Sequence, residues 1–287
     1  KSYNFTETMI IPEGERFFNF EDSKKLKETF VKACQLFEDY NFIQLPTLEV
    51  YYPKYTELYK PFLIDTQFDG SYLALRSDWT ISLIRYLNSF KKVDLPLKVF
   101  YWGPVFTPKD LERFQMGIEL IGFSFPEGEY EVISRLVEYL LSLGLKDLSI
   151  ILGHMGIVER LCKSEQSKER LRKKSFSGLK EGDYLYHLLR AYGDSEVLDE
   201  FSKKFIEFTA ECEELKRLGE LLKDCKAKVF YDLSEIRRQE YYTGIVFEIF
   251  HPGVGYPIAG GGRYDNLFLQ SKAVGGAVYL EALLDVL

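Results

Sequence analysis

The sequence predicts an α+β fold, an antiparallel or mixed sheet flanked by helices and interrupted by a helical insertion. Three observations carry this. Strand-like stretches recur without regular βα alternation. Two segments, 20–40 and 129–143, place apolar residues at helical spacing. The stretch 156–223 is charge-rich and almost wholly helix-forming. Together they place a core at 1–152 and 227–287, around a mostly helical insertion at 153–226.

In the first helix Leu26, Phe30, Ala33, Cys34 and Phe37 share a face, and Asp22 or Ser23 supplies the cap. Residues 42–46 read as a strand ending at Pro46, and 72–75 as a short strand. Ser77 or Asp78 then caps a helix over 79–87. Strands are expected at 98–101 and 114–123, before the apolar helix over 129–143. Further strands fall at 146–152, 227–232, 242–250, 256–258 and 273–279, and a short helix covers 281–287. The glycine-rich stretch from Ala259 to Asp265 reads as a turn.

A length of 287 residues predicts one large domain or two modest ones, and 46% apolar with 16% aromatic residues argues against disorder. No stretch approaches the roughly 20 apolar residues of a membrane helix, and the start, Lys1 to Asn4, lacks a signal peptide's apolar segment. Cys34, Cys162, Cys212 and Cys225 are scattered without a CxxC pair, so reduced thiols in the cytoplasm are expected. His154, His187 and His251 stand too far apart for a local metal motif. A net charge of -7 disfavours a nucleic-acid partner. The basic run from Arg170 to Lys174 follows Glu165 and Glu169, and reads as a solvated helix face.

Two strands carry polar residues on one face. Around Gly117, Gln115 and Glu119 point to the side opposite Met116, Ile118 and Leu120. They lie about 13 Å apart, with space left at the glycine. In the second strand Tyr242, Gly244, Val246 and Glu248 share a face, opposite Thr243, Ile245, Phe247 and Ile249. The periodicity fits a polar pocket, and equally a half-exposed sheet that meets water. No phosphate-loop motif accompanies the glycines.

Longer matches narrow the choice. Arg237 to Glu248, RRQEYYTGIVFE, resembles the RGLDYYTGTVFE signature of histidyl-tRNA synthetases. Ala259 to Asp265 resembles their AGGRYD with one extra glycine, and Leu75 to Thr80 resembles LRPEGT. Tyr101 to Phe106 resembles the start of class II motif 2, and Gln115 to Glu119 its returning strand. The matches run in order from about residue 40 to residue 285, outside the insertion.

This resemblance implies the class II aminoacyl-tRNA synthetase fold and a pocket for free histidine. By position, Asp78, Thr80 and Gln115 would hold the α-amino group, while Glu119 and Tyr242 would read the imidazole. Arg237 would meet the carboxylate, and Tyr241 and Tyr264 would line and close the pocket. A carboxylate and a phenol can satisfy both ring nitrogens, and a guanidinium suits a carboxylate. Asp78 stands where the family has Glu, with a reach one methylene shorter.

The departures matter as much. The motif 2 arginine that contacts the ATP α-phosphate falls at Thr107, and the motif 3 arginine at Ala282. Loss of one such preorganised donor costs about 3 to 4 kcal/mol. The loop between Phe106 and Phe114 is shortened, and the sequence stops at Leu287, so no anticodon-binding domain is expected. This combination resembles the regulatory subunits of ATP phosphoribosyltransferase, and the Gly153-His154 pair fits them. His154 also reads as a strand-end residue satisfied by backbone. The resemblance implies no catalysis of its own, no cofactor and no metal. It implies as partners L-histidine and the short-form catalytic subunit, which joins ATP to phosphoribosyl pyrophosphate. A homodimer through motif 1, around Phe42 to Pro46, would sit within a hetero-oligomer. The alternatives are a scaffold that binds no amino acid, or a compact aminoacyl ligase drawing a cation from Lys109 or Arg113.

Overall fold

Helix α1 (Phe20–Leu36) opens where Asn19 accepts a hydrogen bond from the Asp22 amide at 2.9 Å. The cap is thus Asn19, while Glu21 and Asp22 lie in the first turn, where negative charge suits the helix dipole. This is a computed structural model, and it describes residues 12–13, 15–51, 61–108, 111–237 and 239–287. Lys109 and Arg238, and the chain start from Lys1 to Asn4, lie outside the described residues.

Strand β1 (Asn41–Ile43) follows, then β2 (Leu48–Val50), β3 (Phe62–Phe68) and β4 (Ser71–Leu75). The second and third of these carry no clear alternation and were not expected. Asp78 caps α2 (Trp79–Leu87) by accepting from the Ile81 amide at 2.9 Å, one of the two caps expected there. Strands β5 (Leu97–Thr107) and β6 (Leu111–Ile121) form a long hairpin, paired from Leu97 opposite Ile121 to Thr107 opposite Leu111. Both outrun the lengths that their side-chain patterns suggest, because ladder bonds continue past the alternating residues. Helix α3 (Glu127–Ser142) and β7 (Ser149–His154) complete the first half.

Five helices follow: α4 (Met155–Leu161), α5 (Glu165–Arg172), α6 (Tyr184–Arg190), α7 (Glu196–Lys204) and α8 (Thr209–Leu221). Between α6 and α7 lies the two-residue β8 (Tyr192–Gly193). Buried residues of these helices, among them Leu171, Leu188 and Leu215, share one apolar cluster with the sheet. His154 caps α4, accepting from the Gly156 amide at 3.0 Å, and its Nε2 lies 3.1 Å from Glu214. In the basic run, Arg172 and Lys173 pair with Glu169 at the surface. Lys174 departs from that solvated face: it reaches Asp232 at 2.8 Å. All four cysteines are free.

Strands β9 (Lys228–Asp232), β10 (Ile245–Phe250), β11 (Ala259–Arg263) and β12 (Ala273–Tyr279) and helix α9 (Leu280–Leu284) finish the chain. Three expectations are corrected here, and the first is that residues 256–258 form no strand. Tyr242 precedes β10 instead of lying in it, and the glycine-rich stretch from Ala259 is a buried strand, not a turn. Three consecutive glycines give no side-chain period to read. Their bare backbone lets β11 fit against β10 on one side and β12 on the other.

Among the described residues the strands form two sheets. The larger has nine strands in the order β1-β5-β6-β12-β11-β10-β7-β9-β8, parallel only at β1/β5 and β7/β9. The smaller, β2-β4-β3, is antiparallel. Helix α3 covers one face of the large sheet with Val132, Ile133, Leu136, Val137 and Leu140, all buried. Each such side chain contributes at most about 1.5 to 3 kcal/mol. A bidentate ion pair from Arg263 to Glu129 ties β11 to that helix. No helix among the described residues is long and apolar enough to cross a membrane.

Candidate ligand-binding site

The opposite face of the large sheet carries the polar residues. In register across five strands lie Tyr101, Gly117, Ala277, Gly260 and Glu248. The adjacent row is Val99, Glu119, Gly275, Gly262 and Val246. A third row sets Gln115 between Gly103 and Tyr279. Small residues therefore pave the centre, and longer polar side chains fold down onto them.

Two glycines make this possible. A Cβ on Gly275 would overlap the Glu119 carboxylate, and one on Gly260 would stand 2.9 Å from the Arg237 guanidinium. The space over Gly117, expected to be open, is filled by the Tyr101 ring, which also stacks on Trp79 at 4.5 Å.

Glu119 is the centre of the first polar group. Thr80 donates to one of its oxygens at 2.7 Å and Tyr264 to the other at 2.6 Å. Glu119 is 1% exposed, and burial pushes its carboxyl up to about 7. The nearby Asp78 charge adds to that rise, while the Tyr264 and Thr80 donors oppose it. Asp78 uses one oxygen to cap α2 and accepts from Tyr241 on the other at 2.9 Å. Burial raises its carboxyl as well.

Arg237 is the centre of the second group. It donates to Glu248 at 2.7 Å and to the Tyr279 hydroxyl at 3.0 Å, with the Tyr242 ring 5.8 Å away. Tyr241 joins the groups, with ring centroids 4.8 Å from Tyr242 and 6.0 Å from Tyr264.

The structure thus brings Asp78, Thr80, Glu119, Tyr241 and Tyr264 into one hydrogen-bonded and stacked group. Arg237 and Tyr242 stand beside it, and Gln115 lies on the same sheet face. Sequence reasoning missed Tyr101, Tyr279 and Glu248 as members of the site, and with them Glu235, a buried carboxyl that feels the charges of Glu248 and Arg237. Glu248 had a signal, since it alternates with Tyr242 and Gly244. Tyr279 and Glu235 had none, because only strand pairing and the path of the chain before β10 put them here. Arg76, inside one matching segment, is fully buried and donates to carbonyls of Leu45, Pro46 and Pro104. It is a strut between β5 and the loop that follows β1. No group of three or more His, Cys, Asp and Glu among the described residues is placed to hold a metal ion.

A glycine-paved antiparallel sheet with this polar face is the catalytic-domain architecture of class II aminoacyl-tRNA synthetases. A sequence profile described as histidyl-tRNA synthetase matches residues 14–283, and the chain belongs to that family. An ATP phosphoribosyltransferase regulatory subunit from Aquifex aeolicus is 39% identical, over 96% of this chain and 75% of the relative. A histidine–tRNA ligase from Methanocaldococcus jannaschii is 31% identical, over 89% of this chain and 69% of the ligase. A crystal structure from Bacillus halodurans, described as an ATP phosphoribosyltransferase regulatory subunit/histidyl-tRNA synthetase, is 26% identical with a TM-score of 0.84. That match covers 100% of this chain and 84% of the other. Within the family, the chain stands with the ATP phosphoribosyltransferase regulatory subunits.

Proposed function

We propose that this chain senses L-histidine for a short-form ATP phosphoribosyltransferase catalytic subunit, with which it forms a cytoplasmic hetero-oligomer. It acts without catalysis of its own. The observation that supports this reading is a contrast. Glu119, Thr80, Asp78 and Tyr264 make a connected polar site, while the positions aligned with the ATP-binding arginines hold Thr107 and Ala282. Ala282 is buried on α9, and its neighbour Glu281 accepts from the Phe114 amide at 2.9 Å. A methyl group cannot stabilise charge developing on a phosphate.

Histidine would act by binding the inactive arrangement of the complex more tightly than the active one, since a ligand shifts an equilibrium only by its differential affinity. Homodimerisation through the β1 region fits the exposure of Phe42, and light scattering would measure it. Calorimetry with L-histidine, on the chain alone and with its catalytic subunit, tests the central reading; no binding in either sinks it. Histidine-dependent pyrophosphate exchange with ATP would instead favour the aminoacyl ligase, the reading that the ligase relative keeps open.

A further inference from the structure

The two stretches that carry Arg237, Tyr241 and Tyr242, residues 233–237 and 239–244, lie between β9 and β10 outside regular structure. Without a strand ladder, their individual contacts set their position. The sheet side supplies some of these: Tyr241 donates to Asp78, and Arg237 to Glu248 and Tyr279. The helical stretch α4–α8 supplies others, at both ends. The Leu233 amide donates to the Ala191 carbonyl at 3.0 Å, next to the pairing of β8 with β9. The Met155 amide, at the start of α4, donates to the Gly244 carbonyl at 2.9 Å.

Lys174 adds a side-chain link of its own. Helix α5 closes with the Lys174 amide on the Leu171 carbonyl and the Ser175 amide on the Arg170 carbonyl. That pair of bonds requires a left-handed residue, for which glycine is the usual occupant. Lys174 takes the position at φ +48°. Glycine there would have no arm, whereas the lysine ammonium donates to Asp232 at 2.8 Å and to Ser234 at 2.9 Å. It also stands 3.7 Å from Glu235. The acceptors are fixed in advance. The other Asp232 oxygen accepts from both the amide and the hydroxyl of Ser234, and both residues are buried. The Glu235 stem packs against Gly153, where a Cβ would stand 2.7 Å from it. Two residues beyond Glu235 the chain presents Arg237.

We propose that Lys174 is a positioning residue for the ligand site, and that it couples pocket occupancy to helix α5. This rests on the reading of the site as a histidine pocket. With Lys174 seated on Asp232 and Ser234, the stretch before β10 holds Arg237 in its binding position. By linkage, a ligand that engages Arg237 stabilises the seated α5 to the same degree. Occupancy is thereby read at a helix that supplies none of the pocket residues.

The test combines calorimetry with L-histidine and amide hydrogen exchange, on the full chain alone and with its catalytic subunit. Lys174→Met keeps most of the stem and removes the ammonium, and should weaken histidine binding by about 10-fold. Lys173→Met, which removes a surface pair with Glu169, should stay within about 2-fold of the wild type. At saturating histidine, exchange in α5 should slow in the wild type and not in Lys174→Met. A lysine that served the fold alone would give no such ligand-dependent protection. Histidine affinity unchanged by Lys174→Met overturns the proposal and leaves the histidine pocket standing. So does exchange in α5 that histidine leaves unaltered in the wild type, or slows equally in the variant. Histidine binding by neither the chain nor its complex overturns both.

Discussion

Replacing Glu119 with Gln should raise stability at neutral pH and flatten its pH dependence. Glu119 is fully enclosed, and its carboxyl is raised from 4.5 to about 7, chiefly by burial. Between those values the folded chain holds a proton that the unfolded chain has released. Stability from this group is therefore fully present below pH 4.5 and is lost as pH rises through about 7. The corresponding change is about 3 kcal/mol. For a chain of this size it amounts to about 6 °C in Tm. The glutamine carbonyl can still accept one hydroxyl proton, and the other hydroxyl can turn to accept from the amide. Thermal unfolding of both proteins, followed by circular dichroism from pH 4.5 to 8, supplies the comparison. The wild-type Tm should fall relative to that of the variant across this range. The difference between the two curves isolates Glu119 from other titrating carboxyls, Glu235 among them. Parallel curves would refute the reasoning.

Gly275→Ala should drive a methyl group into the Glu119 carboxylate, destabilise the fold by about 1 to 3 kcal/mol and abolish histidine binding in calorimetry. Glu248→Ala removes the carboxylate that Arg237 binds at 2.7 Å inside the site; urea denaturation should show a loss of about 3 kcal/mol. Arg76→Lys should fail to preserve stability, because one ammonium cannot span the carbonyls of Leu45, Pro46 and Pro104. A loss of about 2 to 3 kcal/mol is expected in the same assay.

Local chemistry makes several elements legible in the sequence alone. Asp78 before an apolar run marks the start of α2, because a short acidic side chain can satisfy orphan amides. The alternation around Gly117 sorts Glu119 from Met116 and Ile118, because a strand's side-chain period is two. Residues 273–279, rich in valine and small residues, are readable to the residue. Motif order alone indicates the family and most of the site's members.

Other features exist only once distant strands meet. The glycines from Gly260 onward look like a turn in isolation, and become a central strand because β10 and β12 flank them. Tyr264 and Thr80 reach Glu119 from 145 and 39 residues away, and burial among distant strands raises that carboxyl against the pull of their hydroxyls. The resemblance assigns Arg237 to a ligand carboxylate, while the fold sets Glu248 against it and Glu235 nearby. Backbone preferences and side-chain periods are local, so the sequence by itself determined elements such as α2 and β12 and the face of β6 that carries Glu119. Charge balance and burial depend on what lies across the sheet, and only the tertiary structure decided those.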